Sequence, residues 1–285
     1  MNKTVRILRF LLITFLTAAI CISGYKLWEI SEQYIREAQV KDSVLKYRPA
    51  ENTASAEAEP NTAAESPEHS NGGAAGKKNK NNRFITDLQN DVNKDIIGWI
   101  TIPNTKIDYP FVISKDNDFY LRRDLYGNRA AAGTLFADYR CAPDFSDFNT
   151  IIYGHTMKNG SMFGELKLFA EEGFFESNRF GTIFLKDGTY TIEFFAYMVV
   201  RADDNIIYGI SAAGAERREF FDYVKKYALN YREPDAKQAL PADADVNVSD
   251  NINSCNIDSN IVTLSTCSYQ YDGARIVLLA VLNPK

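Results

Sequence analysis

Asn260-Ile261-Val262-Thr263-Leu264-Ser265-Thr266 runs into Cys267, and after a turn beginning at Ser268 the chain resumes as Ala274-Arg275-Ile276-Val277-Leu278-Leu279-Ala280-Val281-Leu282. Both stretches are short, apolar and rich in β-branched residues, which is the composition of buried strands. A short turn between them predicts an antiparallel pair. Pairing across such a turn brings Arg275 back beside Cys267. Of the two histidines in the 285 residues, His69 lies in a polar stretch, so His155 is the one expected in folded sequence.

Working back from this hairpin, further runs read as strands: Gly98 to Ile102, Ile107 to Ile113, Thr134 to Ala137 and Thr150 to Tyr153. Thr182 to Lys186 and Tyr190 to Arg201 follow, joined by Asp187-Gly188, a favoured tight-turn dipeptide. Phe84, Leu88 and Val92 recur at helical spacing and predict a short opening helix. A longer helix is predicted over Ala215 to Tyr231, with Phe220, Val224, Tyr227 and Tyr231 on its apolar face. Many short strands with few helices predict a mainly β fold, a barrel or sandwich decorated by helices.

The N-terminus is organised differently. Lys3, Arg6 and Arg9 precede an apolar run, and residues 7 to 28 are long enough to cross a bilayer core of ~30 Å at ~1.5 Å per residue. Basic residues before the run and Glu29, Glu32 and Glu37 after it predict an uncleaved, single-pass anchor with everything after about residue 28 outside the cell. A cleaved signal peptide is the alternative, although no clear small-x-small site is present. Residues 48 to 82 are dominated by Ala, Glu, Asn, Ser, Pro, Gly and Lys, and cannot bury enough apolar surface to offset their ordering entropy. The expected division is therefore an anchor at 1–28, a stalk and disordered linker at 29–82, and a catalytic domain at 83–285.

A formal net charge of −5 offers no basic excess for nucleic acid. Cys21 lies in the apolar run. Cys141 and Cys255 read as two isolated small core residues, with pairing as the alternative. No C-x-x-C or H-x-x-H spacing points to zinc. Asp243, Asp245 and Asp250 lack EF-hand spacing and read as a solvated loop. No metal or cofactor is expected.

Cys267, His155 and Arg275 supply a thiol, an imidazole and a guanidinium, enough for a nucleophile, an acid/base and an oxyanion partner. A cysteine at a strand's end is accessible to substrate, and a nearby cation favours its thiolate. An ordinary thiol titrates near ~8.5 and an ordinary imidazole near ~6.5, so this chemistry predicts a bell-shaped pH–rate profile. Each residue taken singly also fits packing. At this level a secreted cysteine peptidase and a membrane-tethered binding domain with an incidental cysteine remain rival readings.

Thr263-Leu264-Ser265-Thr266-Cys267 with Arg275 closely resembles the active-site signature of sortases, the cysteine transpeptidases of Gram-positive bacteria. Tyr153-Gly154-His155, followed by Met162-Phe163-Gly164, resembles their histidine segment. The Leu-Ser-Thr-Cys wording and the helix before the cysteine strand resemble class B in particular, over residues 84 to 283. The resemblance implies a sortase-like closed β-barrel with an N-terminal helix and a long helix before the cysteine strand. It implies Cys267 as nucleophile, His155 as acid/base and Arg275 as oxyanion partner, with Tyr153, Ser265, Asn117 and Leu121 lining the substrate groove. It further implies surface proteins with a C-terminal sorting motif as substrates, cleaved after threonine through a thioacyl-enzyme. The acceptor would be an amine of the peptidoglycan precursor (lipid II), at the cell membrane. A pilin-polymerising sortase of another class is the alternative within the family, and Asn117 has a bland reading as a helix cap.

Overall fold

The structure is a computed structural model and describes residues 3–48, 83–234, 259–267 and 273–284. The strands are β1 (Ile96–Thr101), β2 (Asp108–Ile113), β3 (Leu135–Ala137), β4 (Asn149–Tyr153), β5 (Phe180–Leu185), β6 (Thr189–Arg201), β7 (Asn230–Tyr231), β8 (Ile261–Cys267) and β9 (Ala274–Pro284). They form one sheet in the order β5-β1-β2-β3-β4-β8-β9-β6-β7. A further β5–β6 pairing closes the first eight into a barrel and leaves β7 appended to β6. This is the closed barrel expected from the sequence. Two pairings are parallel, β2 with β3 and β4 with β8. The second of these places the histidine segment beside the cysteine strand.

Strand alternation separates an inner from an outer face. Ile100, Phe111, Leu135, Ile152, Ile183, Phe194, Leu264 and Leu278 come from all eight barrel strands and fill the interior. On the outer face of β6, β8 and β9, Phe195, Met198, Ile261, Val277 and Leu279 pack under α4 (Ala215–Tyr227). On the outer face of β1 and β2, Trp99 and Val112 pack with Ile85 and Leu88 of α2 (Arg83–Asp91). Burying each such large side chain contributes about 1.5–3 kcal/mol.

One helix boundary departs from the sequence reading. The α4 helix stops at Tyr227, where Ala228 turns extended. Asn230 and Tyr231 then pair with Tyr197 and Ala196 as β7, because the outer edge of β6 offers backbone partners there. The helix buries Phe220, Phe221 and Val224, whereas Tyr227 is exposed. The predicted stripe therefore carried two residues too many at its C-terminal end, Tyr227 and Tyr231, and omitted Phe221.

The N-terminal apolar run belongs to one continuous helix, α1 (Lys3–Leu45). Its early apolar side chains are exposed and it is apolar enough to cross a membrane. Its last turns dock on the barrel. Val44 is buried with Leu88 and Trp99, the Lys41 ammonium sits 4.1 Å from the Tyr109 ring centroid, and Arg48 pairs with Asp108 at 3.2 Å. The acidic loop with Asp243, Asp245 and Asp250 lies outside the described residues, as does Cys255.

Candidate active site

The register of β8 with β9 sets Cys267 directly opposite Arg275. The parallel register of β4 with β8 sets Tyr153 beside Ser265. The ladder continues one step further, as the Gly154 amide donates to the Ser265 carbonyl at 3.1 Å. Two positions beyond the Tyr153–Ser265 pair, past Gly154 and Thr266, come His155 on one side and Cys267 on the other. Inner-face positions are taken by Leu264 and Ile276, so alternation assigns 265 and 275 to the outer face. The register thus brings the backbone positions of the three residues singled out for chemistry to one end of the barrel.

His155 is half-buried, and its Nε2 lies 2.6 Å from the Leu121 carbonyl. A carbonyl only accepts, so Nε2 carries the proton, and in the neutral ring Nδ1 is the basic nitrogen. The Leu121 carbonyl is held by a braced loop. Neighbouring Tyr120 is buried, donating its hydroxyl to Asp95 at 2.8 Å while its carbonyl accepts from the Thr134 amide at 3.0 Å. On the other side, the His155 carbonyl accepts from the Phe163 amide at 3.0 Å. Gly154 is required by close approach, because a Cβ there would stand 2.4 Å from the Leu135 side chain and 2.7 Å from Phe163. The Tyr-Gly-His word therefore has a packing reason as well as a chemical one.

A polar network backs this surface. Asp138, only 1% exposed, receives two hydrogen bonds from the Arg140 guanidinium at 2.8 Å each. It also accepts from Asn117 Nδ2 at 3.1 Å and from the Tyr153 hydroxyl at 3.0 Å. Burial pushes the Asp138 carboxyl upward, but the Arg140 hydrogen bonds outweigh it and hold it below the usual carboxylate range. Burial, then the Asp138 charge, pushes the Tyr153 phenol well above its ordinary range, so it stays a donor. Tyr153 stacks on Tyr208 with ring centroids 6.3 Å apart, and the Tyr208 hydroxyl lies 2.9 Å from the buried Ser265 hydroxyl. Asn117, Tyr153 and Ser265 are thereby linked into one wall.

Asn117 does not cap the short helical turn Tyr120–Arg122. Asp116 accepts the Asp118 and Phe119 amides instead, leaving Asn117 to bridge Asp138 and the Tyr139 amide. Leu121 meets the site through its carbonyl rather than through its side chain alone. Asp138, Arg140 and Tyr208 were not singled out from the sequence. The one available signal was an acidic residue just past the end of β3, two before an arginine. Cys141 is buried with its thiol pushed up to about 11 by burial, which makes it an inert core residue. Among the described residues no cluster of His, Cys, Asp and Glu is suited to a metal ion.

No family model matches the chain. It is 37% identical over 205 residues to sortase B of Listeria monocytogenes, covering 70% of this chain and 74% of that relative. Sortase B of Staphylococcus aureus is 29% identical over 191 residues, covering 66% and 70% respectively. Among solved structures, a Staphylococcus aureus sortase B–substrate complex superposes with a TM-score of 0.59 at 27% identity, covering 71% of this chain and 86% of that one. Clostridium perfringens sortase B superposes with a TM-score of 0.58 at 30% identity, covering 69% and 98%.

Proposed function

We propose that this chain, which belongs to the class B sortase family and is a cysteine transpeptidase, cuts a C-terminal sorting motif after threonine and moves the protein to a lipid II amine at the cell membrane. The observation that carries the residue assignment is the double register that brings positions 155, 267 and 275 to one barrel end. Cys267 as thiolate attacks the threonine carbonyl, and Arg275 stabilises the resulting oxyanion. The C–N bond breaks as protonated His155 gives its proton to the departing amine, leaving a thioacyl-enzyme. The acceptor amine then attacks the thioester and gives a proton to His155, and the C–S bond breaks to regenerate the thiolate beside a protonated imidazole.

Asn117, Tyr153, Ser265 and Leu121 form the groove that holds the motif. The substrate complex of the Staphylococcus aureus relative supports a substrate-binding groove on this fold. The apolar run of α1 supports single-pass anchoring with the barrel outside the cell. A panel of fluorogenic sorting peptides, read by mass spectrometry with and without an added amine, tests the reading. Cleavage after threonine, an adduct on Cys267 and an amine-ligated product are expected, all lost in Cys267→Ala. Hydrolysis with no ligation under any amine would point to a peptidase instead.

A further inference from the structure

The face of α1 beyond the apolar run and the barrel enclose a cavity of about 750 Å³ that the peptide groove does not use. Glu29 and Gln33 lie on its helix wall, Arg122, Arg129 and Ala131 on its barrel wall, and His155 contributes to it as well. The helix wall runs from Glu29 to Val44, about 22 Å at ~1.5 Å per residue. It starts where the apolar run ends and finishes where Val44 is buried against the barrel. None of Asn117, Leu121, Tyr153 and Ser265 lines it, whereas His155 does.

We propose that this cavity is the route by which a membrane-borne amine acceptor reaches the thioacyl-enzyme, with the juxtamembrane part of α1 as one wall. The proposal rests on the transpeptidase reading and names where its second substrate sits. Three features carry it. The acceptor must surrender a proton to His155, so its path has to end at that imidazole, and this cavity does. An acceptor fixed to a lipid arrives from the membrane, and the cavity is bounded by the helix that leaves the membrane. Both walls are charged, with Glu29, Glu37 and an Arg36–Glu32 pair on the helix and Arg122, Arg129 and Asp124 on the barrel, which suits an acceptor carrying an ammonium at one end and an anionic headgroup at the other. Docking of the helix end keeps the channel walls together. Without that docking, the barrel would swing free of its anchor and no fixed entry would face the membrane.

The test uses the full chain in vesicles, with a fluorogenic sorting peptide as donor. Gln33→Trp and Ala131→Trp fill the channel from opposite walls at exposed positions. Acylation is read from the fluorophore burst. Resolution is then read separately with lipid II in the same vesicles and with hydroxylamine, which is small enough to pass a narrowed channel. The expected result for both variants is a burst within twofold of wild type, hydroxylamine resolution within threefold, and transfer to lipid II reduced at least tenfold. Undiminished transfer to lipid II in both variants overturns the channel while leaving transpeptidation standing. An equal fall in burst and transfer also overturns it, since the cavity would then serve the donor peptide. Failure of the wild type to acylate overturns the transpeptidase reading itself, and the proposal with it.

Discussion

Removing the Asp138 carboxylate is the sharpest test of how the groove wall is held. Its partners are the Arg140 guanidinium and backbone amide, Asn117 and the Tyr153 hydroxyl, all within 3.1 Å. The Arg140 side chain is 45% exposed, so water takes over much of its solvation and that pair is worth at most about 1 kcal/mol. Tyr153 and Asn117 are only partly exposed, and a donor stranded there costs about 1–3 kcal/mol. Asp138→Ala should therefore destabilise the protein by about 3–5 kcal/mol. Asp138→Asn keeps the shape and one acceptor oxygen, and should cost about 1–2 kcal/mol. Urea denaturation followed by fluorescence measures both. The pH dependence has a definite sign. The folded carboxyl titrates below its unfolded value, so its stabilisation is complete above ~3.9 and is lost as pH falls through the folded value. The gap between wild type and Asp138→Asn should be constant from pH 5 to 8 and shrink below about pH 4. With the wall loosened, KM for the sorting peptide should rise several-fold more than kcat falls. An Asp138→Ala variant within 0.5 kcal/mol of wild type, or one losing kcat at unchanged KM, would refute the argument.

Gly154→Ala forces a methyl against Leu135 and Phe163 and should cost about 1–3 kcal/mol; thermal melting and the acylation burst should fall together, and an unaltered burst would show that His155 is not placed by this packing. Arg275→Ala should lower kcat by about 10²–10³, and Arg275→Lys should not restore it, because a point charge does not reproduce the planar fork; full activity with lysine would reduce the role to charge alone. Iodoacetamide at pH 8 should label Cys267 and spare Cys141, whose thiol is buried and pushed up to about 11. Peptide mapping reads both sites, and comparable labelling of Cys141 would contradict its burial.

The sequence was most legible where local chemistry and periodicity agree. The apolar runs place all eight barrel strands and miss only the appended two-residue β7, and Asp187-Gly188 places the β5–β6 turn. The antiparallel register of Cys267 with Arg275 also follows from a short turn, because hairpin pairing is a local property. The chemistry of the thiol, imidazole and guanidinium was readable for the same reason, through residue scarcity and local motif wording.

The long-range relations were decided only by the tertiary structure. Parallel pairing of β4 with β8 joins residues more than a hundred positions apart, and nothing local specifies such a partner. The Leu121 carbonyl at His155 is a backbone contact, and every residue carries a carbonyl, so no residue type announces it. Asp138 is silent for a related reason: an acidic residue after a strand is ordinary until folding buries it under three donors. The end of α4 at Tyr227 and the docking of Val44 depend on which surfaces the closed barrel leaves available. A sequence states which groups a chain owns and how neighbours are spaced, whereas burial and distant partners arise only when the barrel closes.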